Sequence, residues 1–210
     1  MKVFRSAISL DGEWDELESR VSGCTRCRLC SGRIHTVFGQ GSRTSRVVFV
    51  GEGPGAEEDA QGLAFVGKAG QLLTRILSSA GIDREEVFIT NVVKCRPPEN
   101  RAPTPDEMMA CSPFLEAQLA LLRPGIVVCL GNTPAKWLLK TSEGISSIRG
   151  RWIQWRGCQL MAMFHPSYLL RNESRKKGSP KDLTWNDILS VRDRIGEMAE
   201  IGGSKKGEEE

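Results

Sequence analysis

The sequence predicts an α/β fold, a three-layer α/β/α sandwich around a central, mostly parallel β-sheet. Apolar, β-branched runs of strand length recur along the chain, each ends in a glycine or a polar loop, and amphipathic helical stretches separate them. In chain order, residues 11–22 (DGEWDELESRVS) set Trp14, Leu17 and Val21 at helical spacing behind Asp11, a ready N-cap. RVVFV (46–50) has the continuous apolar character of a strand buried on both faces. AGQLLTRILSSA (69–80) turns Leu72, Leu73, Ile76 and Leu77 to one side and closes at Gly81. VFITNVV (87–93) is a second strand, 105–122 a long helix with Asp106 and Glu107 in its first turn, and IVVCL (126–130) a third strand. Asn132 can cap the helix that follows. Residues 152–155 and 159–164 read as two more strands around Arg156-Gly157, and 183–199 as a final polar helix. One domain is expected over residues 1–200, with a tail from 201 to 210 that lacks structure.

Composition narrows the class before any motif is considered. The 210 residues carry 29 Lys+Arg against 26 Asp+Glu, a net charge of +3, with 40% hydrophobic and 26% charged residues. Those are globular proportions, and they exclude collagenous, disordered and disulfide-scaffold classes. The N-terminus meets acidic residues before any long apolar stretch, and no window approaches the ~20 apolar residues of a membrane span. A cytoplasmic protein is expected. Seven cysteines in a chain long enough to bury its own core then point to a metal, an iron–sulfur cluster or redox chemistry rather than to disulfides.

In a parallel sheet, ligands bind beyond the carboxyl ends of the strands. That directs attention to loops 51–66, 91–111, 131–134 and 165–177. Gly51–Ala56 formally fits G-x-G-x-x-A, but Gly62 and Gly67 interrupt any following helix and no acidic residue ends the second strand, so a dinucleotide site is not expected. Read alone, the loop is a glycine-rich turn followed by a solvated acidic run, Glu57-Glu58-Asp59. Cys24-x2-Cys27 supplies two thiolates in one tight loop, and Cys95 and Cys111 flank a proline-rich stretch, so the two pairs can close a four-thiolate site for zinc or an iron–sulfur cluster. Cys30 repeats the same spacing from Cys27. Cys129 lies inside an apolar strand and Cys158 beside one, as buried thiols do. His165 follows the run LMAMF and stands at a strand end, on the ligand side of the sheet. Arg171, Arg175, Lys176, Lys177 and Lys181 form a local basic stretch behind it that could hold phosphates. Phe65 and Asn91 are ambiguous by themselves, and His35 reads as a structural residue.

Taken together, GEGPGAEEDAQGLAFVGKAGQLL (51–73), TNVVKCRPPENRAPTPDE (90–107) and HPSYLLR (165–171) resemble the family 4 uracil-DNA glycosylases, from about Cys24 to the C-terminal helix. The resemblance implies the α/β/α fold of that superfamily and a monofunctional repair glycosylase that flips uracil out of single- or double-stranded DNA and hydrolyses its N-glycosidic bond. It also implies Cys24, Cys27, Cys95 and Cys111 as ligands of a structural [4Fe–4S] cluster, with Cys30 outside the set, and a chain that works as a monomer.

Further roles follow from matching positions. Phe65 is the aromatic that stacks on the flipped base, and Asn91 reads uracil through O4 and N3–H, a pattern that cytosine cannot offer. His165 donates to O2 as charge develops on the leaving base. Glu52 and Glu58 are the carboxylates available near the sugar, and which of them serves water is left open. Gly53, at a position often Ala in the family, offers only backbone to the uracil. Ser167, Leu170 and Arg171 correspond to the segment that contacts phosphates and wedges into the stack, and Asn100 to a further position near the site. A related branch traps DNA covalently through an inserted R-R-I-H-type segment. Arg33-Ile34-His35 precedes the first strand instead, so turnover is expected. The rival reading, a uracil-DNA binding protein without turnover, is distinguished by free uracil in solution.

Overall fold

The computed structural model describes residues 10–204. Helix α1 (Leu10–Ser22) leads through the cysteine loop to a two-residue edge strand, β1 (Gln40–Gly41), and then to β2 (Val47–Gly51). The short α2 (Ala56–Gln61) and the longer α3 (Lys68–Ser79) separate β2 from β3 (Phe88–Asn91). The long α4 (Pro105–Leu122), β4 (Ile126–Leu130), α5 (Asn132–Leu139) and α6 (Ile145–Ile148) follow. The fold closes with β5 (Trp152–Trp155), β6 (Cys158–Met163), α7 (Pro166–Leu170) and α8 (Pro180–Ser204). The six strands form one sheet in the order β1-β3-β2-β4-β6-β5. Its four inner strands run parallel, and β1 and β5 pair antiparallel at the two edges. A mostly parallel sheet between helical layers was the expected architecture.

Alternation along each strand divides the core between the two faces of the sheet. Val48, Val50, Phe88, Val127, Cys129, Leu160 and Ala162 pack with α1, α4 and α5, where Trp14 meets Phe38 edge-on at 5.8 Å. Val47, Phe49, Ile89, Val128, Leu130, Met161 and Met163 pack with α3 and α8 through Leu73, Leu77, Ile188 and Val191. Runs with no polar position are what a strand covered on both faces requires. Cys129 and Cys158 are buried thiols of the α1/α4 face, as expected.

Several details depart from the sequence reading. The loop after β2 turns into a helix after all, the six-residue α2, which ends at Gly62 in the left-handed conformation. Nor is the acidic run uniformly solvated: Asp59 is buried and accepts from the amides of Ile34 and His35. The second strand is shorter than 87–93, because the amides of Val92 and Val93 turn to the carbonyls of Gly51 and Glu52. Helix α8 runs to Ser204, four residues into the expected tail, and the rest of that tail lies outside the described residues. Among the described residues, no helix is long and apolar enough to cross a membrane.

Candidate active site and cysteine cavity

The carboxyl ends of β2, β3, β4 and β6 open onto a cleft of about 730 Å³. Its lining brings together Glu52, Gly53, Glu58, Phe65, Asn91, Asn100, His165, Ser167 and Arg171, which the sequence scatters over 120 positions. Leu170 is not among the lining residues; it stands 40% exposed on α7, the helix that carries Ser167 and Tyr168.

Phe65 forms the floor. Its φ of 55° is a conformation that non-glycine residues seldom adopt, and such strain persists only where the surroundings enforce it. Here Arg84 donates to the carbonyls of Ala64 and Phe65 at 2.8 and 3.1 Å, while the backbone of Phe65 lies so close to Gly70 on α3 that any side chain there would collide with it. The ring stands 5.9 Å from that of His165, centroid to centroid. Gly51 permits the approach from the other side, since a Cβ would come within 2.6 Å of the Phe65 ring and would also strike Asn91 Oδ1.

Asn91 ends β3 with its side chain buried, and its Oδ1 has no hydrogen-bond partner among the described residues. An unpaired buried acceptor costs about 1–3 kcal/mol, so an orphan facing a cleft marks the place where a ligand donates. The main chain beneath it is held by Lys94, whose fully buried ammonium donates to the Asn91 carbonyl at 2.8 Å, to Thr90 Oγ1 at 2.6 Å and to Gln118 Oε1 at 2.7 Å. Burial pushes the Lys94 pKa down to about 7, against the raising effect of the nearby Cys111 thiol.

His165 caps α7: its Nδ1 accepts from the Ser167 amide at 3.1 Å and lies 2.8 Å from the Ser167 hydroxyl. Because Nδ1 is an acceptor, the neutral ring carries its proton on Nε2. Burial, helped by the charge of Arg171, pushes the pKa down to about 4, so the imidazole is neutral near pH 7 and still able to donate.

The two carboxylates are differently engaged. Glu58 accepts from the amides of Val66 and Gly67 through Oε1 at 2.9 and 2.8 Å and from Gly55 through Oε2 at 3.2 Å, tying the ends of the glycine loop together. Glu52 accepts a short hydrogen bond from Thr133 on α5 through Oε2, and among the described residues no other hydrogen bond reaches its carboxylate. Asn100 accepts from Arg96 at 2.8 Å and has a φ of 55°.

Thr133, Lys94, Arg84 and Asp59 were missed at the sequence level. Thr133, Lys94 and Asp59 lay in loops that strand polarity had singled out, and Arg84 did not. None shows a pattern that announces its role: Thr133, Asp59 and Arg84 meet partners ten or more positions away, and Lys94, whose side chain turns back to Thr90 and Asn91, reaches Gln118 across 24 positions.

Behind β3, a second and smaller cavity is lined by Cys24, Cys27, Cys30, Cys95 and Cys111, with Arg33 and Lys94. The Lys94 amide donates to Cys111 Sγ and Arg33 donates to Cys95 Sγ, each at 3.2 Å. Burial pushes the Cys95 thiol up to about 11 and raises those of Cys27 and Cys111, so these thiols stay protonated at neutral pH unless a cation compensates them. Among the described residues, no three Cys, His, Asp or Glu side chains converge on a point as the ligands of a single metal ion must.

A family model described as the uracil DNA glycosylase superfamily matches residues 38–189. The type-4 uracil-DNA glycosylase of Thermotoga maritima is 49% identical over 162 residues, 76% of this chain and 84% of its own. That of Saccharolobus solfataricus is 40% identical over 204 residues, 92% of this chain and 94% of its own. A type-5 uracil-DNA glycosylase of Pyrobaculum aerophilum is 30% identical across 78% of this chain and 87% of its own.

Proposed function

The chain belongs to the uracil DNA glycosylase superfamily, and from that premise we propose that it is a monofunctional repair enzyme of the type-4 kind, releasing uracil from DNA and leaving an abasic site. The observation that carries the reading is the orphaned Asn91 Oδ1, a buried acceptor in a cleft of nucleotide size whose only missing partner is a donor such as uracil N3–H. The Asn91 amide N–H2 complements O4. Cytosine reverses both groups and leaves the site with two unmade hydrogen bonds, a discrimination far larger than shape alone supplies.

Breaking the N-glycosidic bond leaves a sugar cation and a uracil anion, so the chain must stabilise negative charge on the base and supply water to the sugar. Phe65 offers a face on which the extruded base stacks. The neutral His165 donates through Nε2–H toward O2, and because Ser167 fixes the ring, no reorganisation is needed as charge develops. Glu52, with one oxygen held by Thr133 and the other uncommitted, is the carboxylate that orients water. Glu58 has spent its oxygens on three amides and is a positioning residue for the glycine loop. Ser167, Leu170, Arg171 and Asn100 meet the DNA around the flipped nucleotide.

Cys24, Cys27, Cys95 and Cys111, four of the five thiols that line the cavity behind β3, would hold a [4Fe–4S] cluster, whose ligands are cysteine thiolates. When bound, the cluster supplies the compensating charge those thiols need and ties the loop after α1 to the segment after β3. The proposed enzyme works as a monomer, and seven free cysteines suit a reducing cytoplasm.

The test is to incubate anaerobically purified protein with single-uracil DNA, single- and double-stranded, and to follow free uracil and alkali-labile sites. Release over several turnovers from uracil, and not from cytosine or thymine, is expected. Tight binding without release would replace the enzyme with a recognition protein.

A further inference from the structure

We propose that Lys94 is a positioning residue for base recognition, its ammonium holding the turn after β3 so that the Asn91 amide is presented to uracil. The inference rests on the glycosylase reading and adds a residue whose part lies behind the pocket.

The geometry is specific. An ammonium has three N–H donors, and Lys94 places all three: on the Asn91 carbonyl three residues back, on the Thr90 hydroxyl and on the Gln118 amide oxygen of α4. Those acceptors are fixed in turn, since Gln118 Nε2 and the Thr90 hydroxyl both donate to the Phe38 carbonyl, at 2.8 and 2.9 Å. The network thus joins β3, α4 and the segment before β1 at the residue whose side chain faces the cleft, and Lys94 has no carboxylate in it.

A buried cation without an ion-pair partner is costly, and an apolar side chain of the same length would fill the space at less expense in stability. What such a side chain could not do is fix the direction of the Asn91 carbonyl, and with it the orientation of the residue. A fully satisfied buried network of this kind specifies one geometry. The same residue's amide donates to Cys111 Sγ, so the turn is anchored at both ends, to the thiol cavity by its main chain and to the base pocket by its side chain.

The test compares the unsubstituted protein with Lys94→Met and, in case that variant does not fold, with Gln118→Met, which removes one of the acceptors and leaves Lys94 in place. Three quantities are read on folded protein: the Kd for free uracil, the Kd for DNA carrying a stable abasic-site analogue, and the iron content. Lys94→Met is expected to weaken uracil about tenfold, the worth of one hydrogen bond that a misdirected Asn91 amide no longer makes to the base, with abasic-DNA affinity and iron unchanged. Gln118→Met should shift uracil affinity in the same direction by less.

Unchanged uracil affinity overturns the proposal. So does a parallel loss of uracil and abasic-DNA affinity, which is what general loosening produces, or a loss of iron together with uracil affinity, which would assign Lys94 to the thiol cavity alone. Failure of the unsubstituted protein to bind uracil would overturn the glycosylase reading itself, and this proposal with it.

Discussion

Thr133 donates its hydroxyl to one oxygen of Glu52 across 81 positions of sequence, and a carboxylate so held keeps its other oxygen pointed at one place. Replacing Thr133 by Val removes the bond at little change in volume. Turnover should fall about tenfold or more, the worth of a hydrogen bond to a charged group, and Thr133→Ser should restore it. Steady-state kinetics on uracil DNA checks both, with the loss expected in kcat rather than KM. His165 gives a second expectation. With its pKa held near 4 by burial and by Arg171, it is neutral from about pH 5 upward, and it becomes charged only as pH falls through about 4. Uracil release should therefore show no His165 step between about pH 5 and 8, and NMR titration, with only His35 as a second signal, should give a midpoint near 4 that rises in Arg171→Gln. Asn91 and His165 were legible in the sequence because each is a polar residue ending an apolar strand, where polarity of the sheet puts a ligand. Thr133 was not, since nothing near it in sequence announces a partner on another strand's loop.

Helix α4 does more at its first turn than start a helix. Glu107 is fully buried there and accepts from Arg28 beside the cysteine loop, from Arg101 at the rim of the cleft and from the Thr104 amide. Those bonds, Arg101 foremost, hold its carboxyl well below the usual carboxylate range. Glu107→Ala leaves Arg28 and Arg101 without their shared partner. Because both guanidiniums are more than a third exposed and recover water, the cost is at the lower end for a broken buried pair, about 2–3 kcal/mol, seen as a fall in Tm of about 5–10 °C. A depressed carboxyl contributes stability that is whole above its unfolded value and is lost as pH falls through its folded one. The difference in Tm between the parent and Glu107→Ala should thus shrink progressively as pH drops below about 4.5. The α4 limits, Pro105–Leu122, could be read directly from sequence, because proline and two acids marked its start and eighteen residues gave the period room to register. Helices α2, α6 and α7 were not foreseen: at four to six residues, a 3.6-residue period does not separate from chance.

At the scale of the molecule, the sheet divides two kinds of core. The α3/α8 face packs apolar side chains beside the buried Asp187 and its partner Arg149 and holds no cysteine among its described residues, whereas the α1/α4 face is interrupted by the thiol cavity between Val21, Phe114 and the turn after β3. The architecture and the two-sided strands were legible because burial on both faces writes continuous apolar runs. The cavity was legible only as four or five cysteines, since spacing counts donors and says nothing of where Cys95 and Cys111 come to lie. Its consequence is a division of stability. If the four thiolates hold a cluster, the cluster bridges the loop after α1 to α4, and α1 packs on α4 and on Phe88 of the sheet. Removing iron by chelation under mild oxidation, or by Cys24→Ser, should then loosen α1 and the 23–39 segment first. Hydrogen exchange should quicken there and at Asn91, while α3 and α8 keep their protection, because the apolar face does not depend on the thiols. Reloading should release protons, since burial has raised the thiol pKa values that binding must overcome, and should therefore be favoured as pH rises. Uniform quickening across both faces would instead mean that the two cores unfold as one unit and that the cavity contributes to global stability alone. Exchange confined to the α1 face, accompanied by weaker uracil binding, would connect the cysteines to the base pocket through the turn that Lys94 anchors.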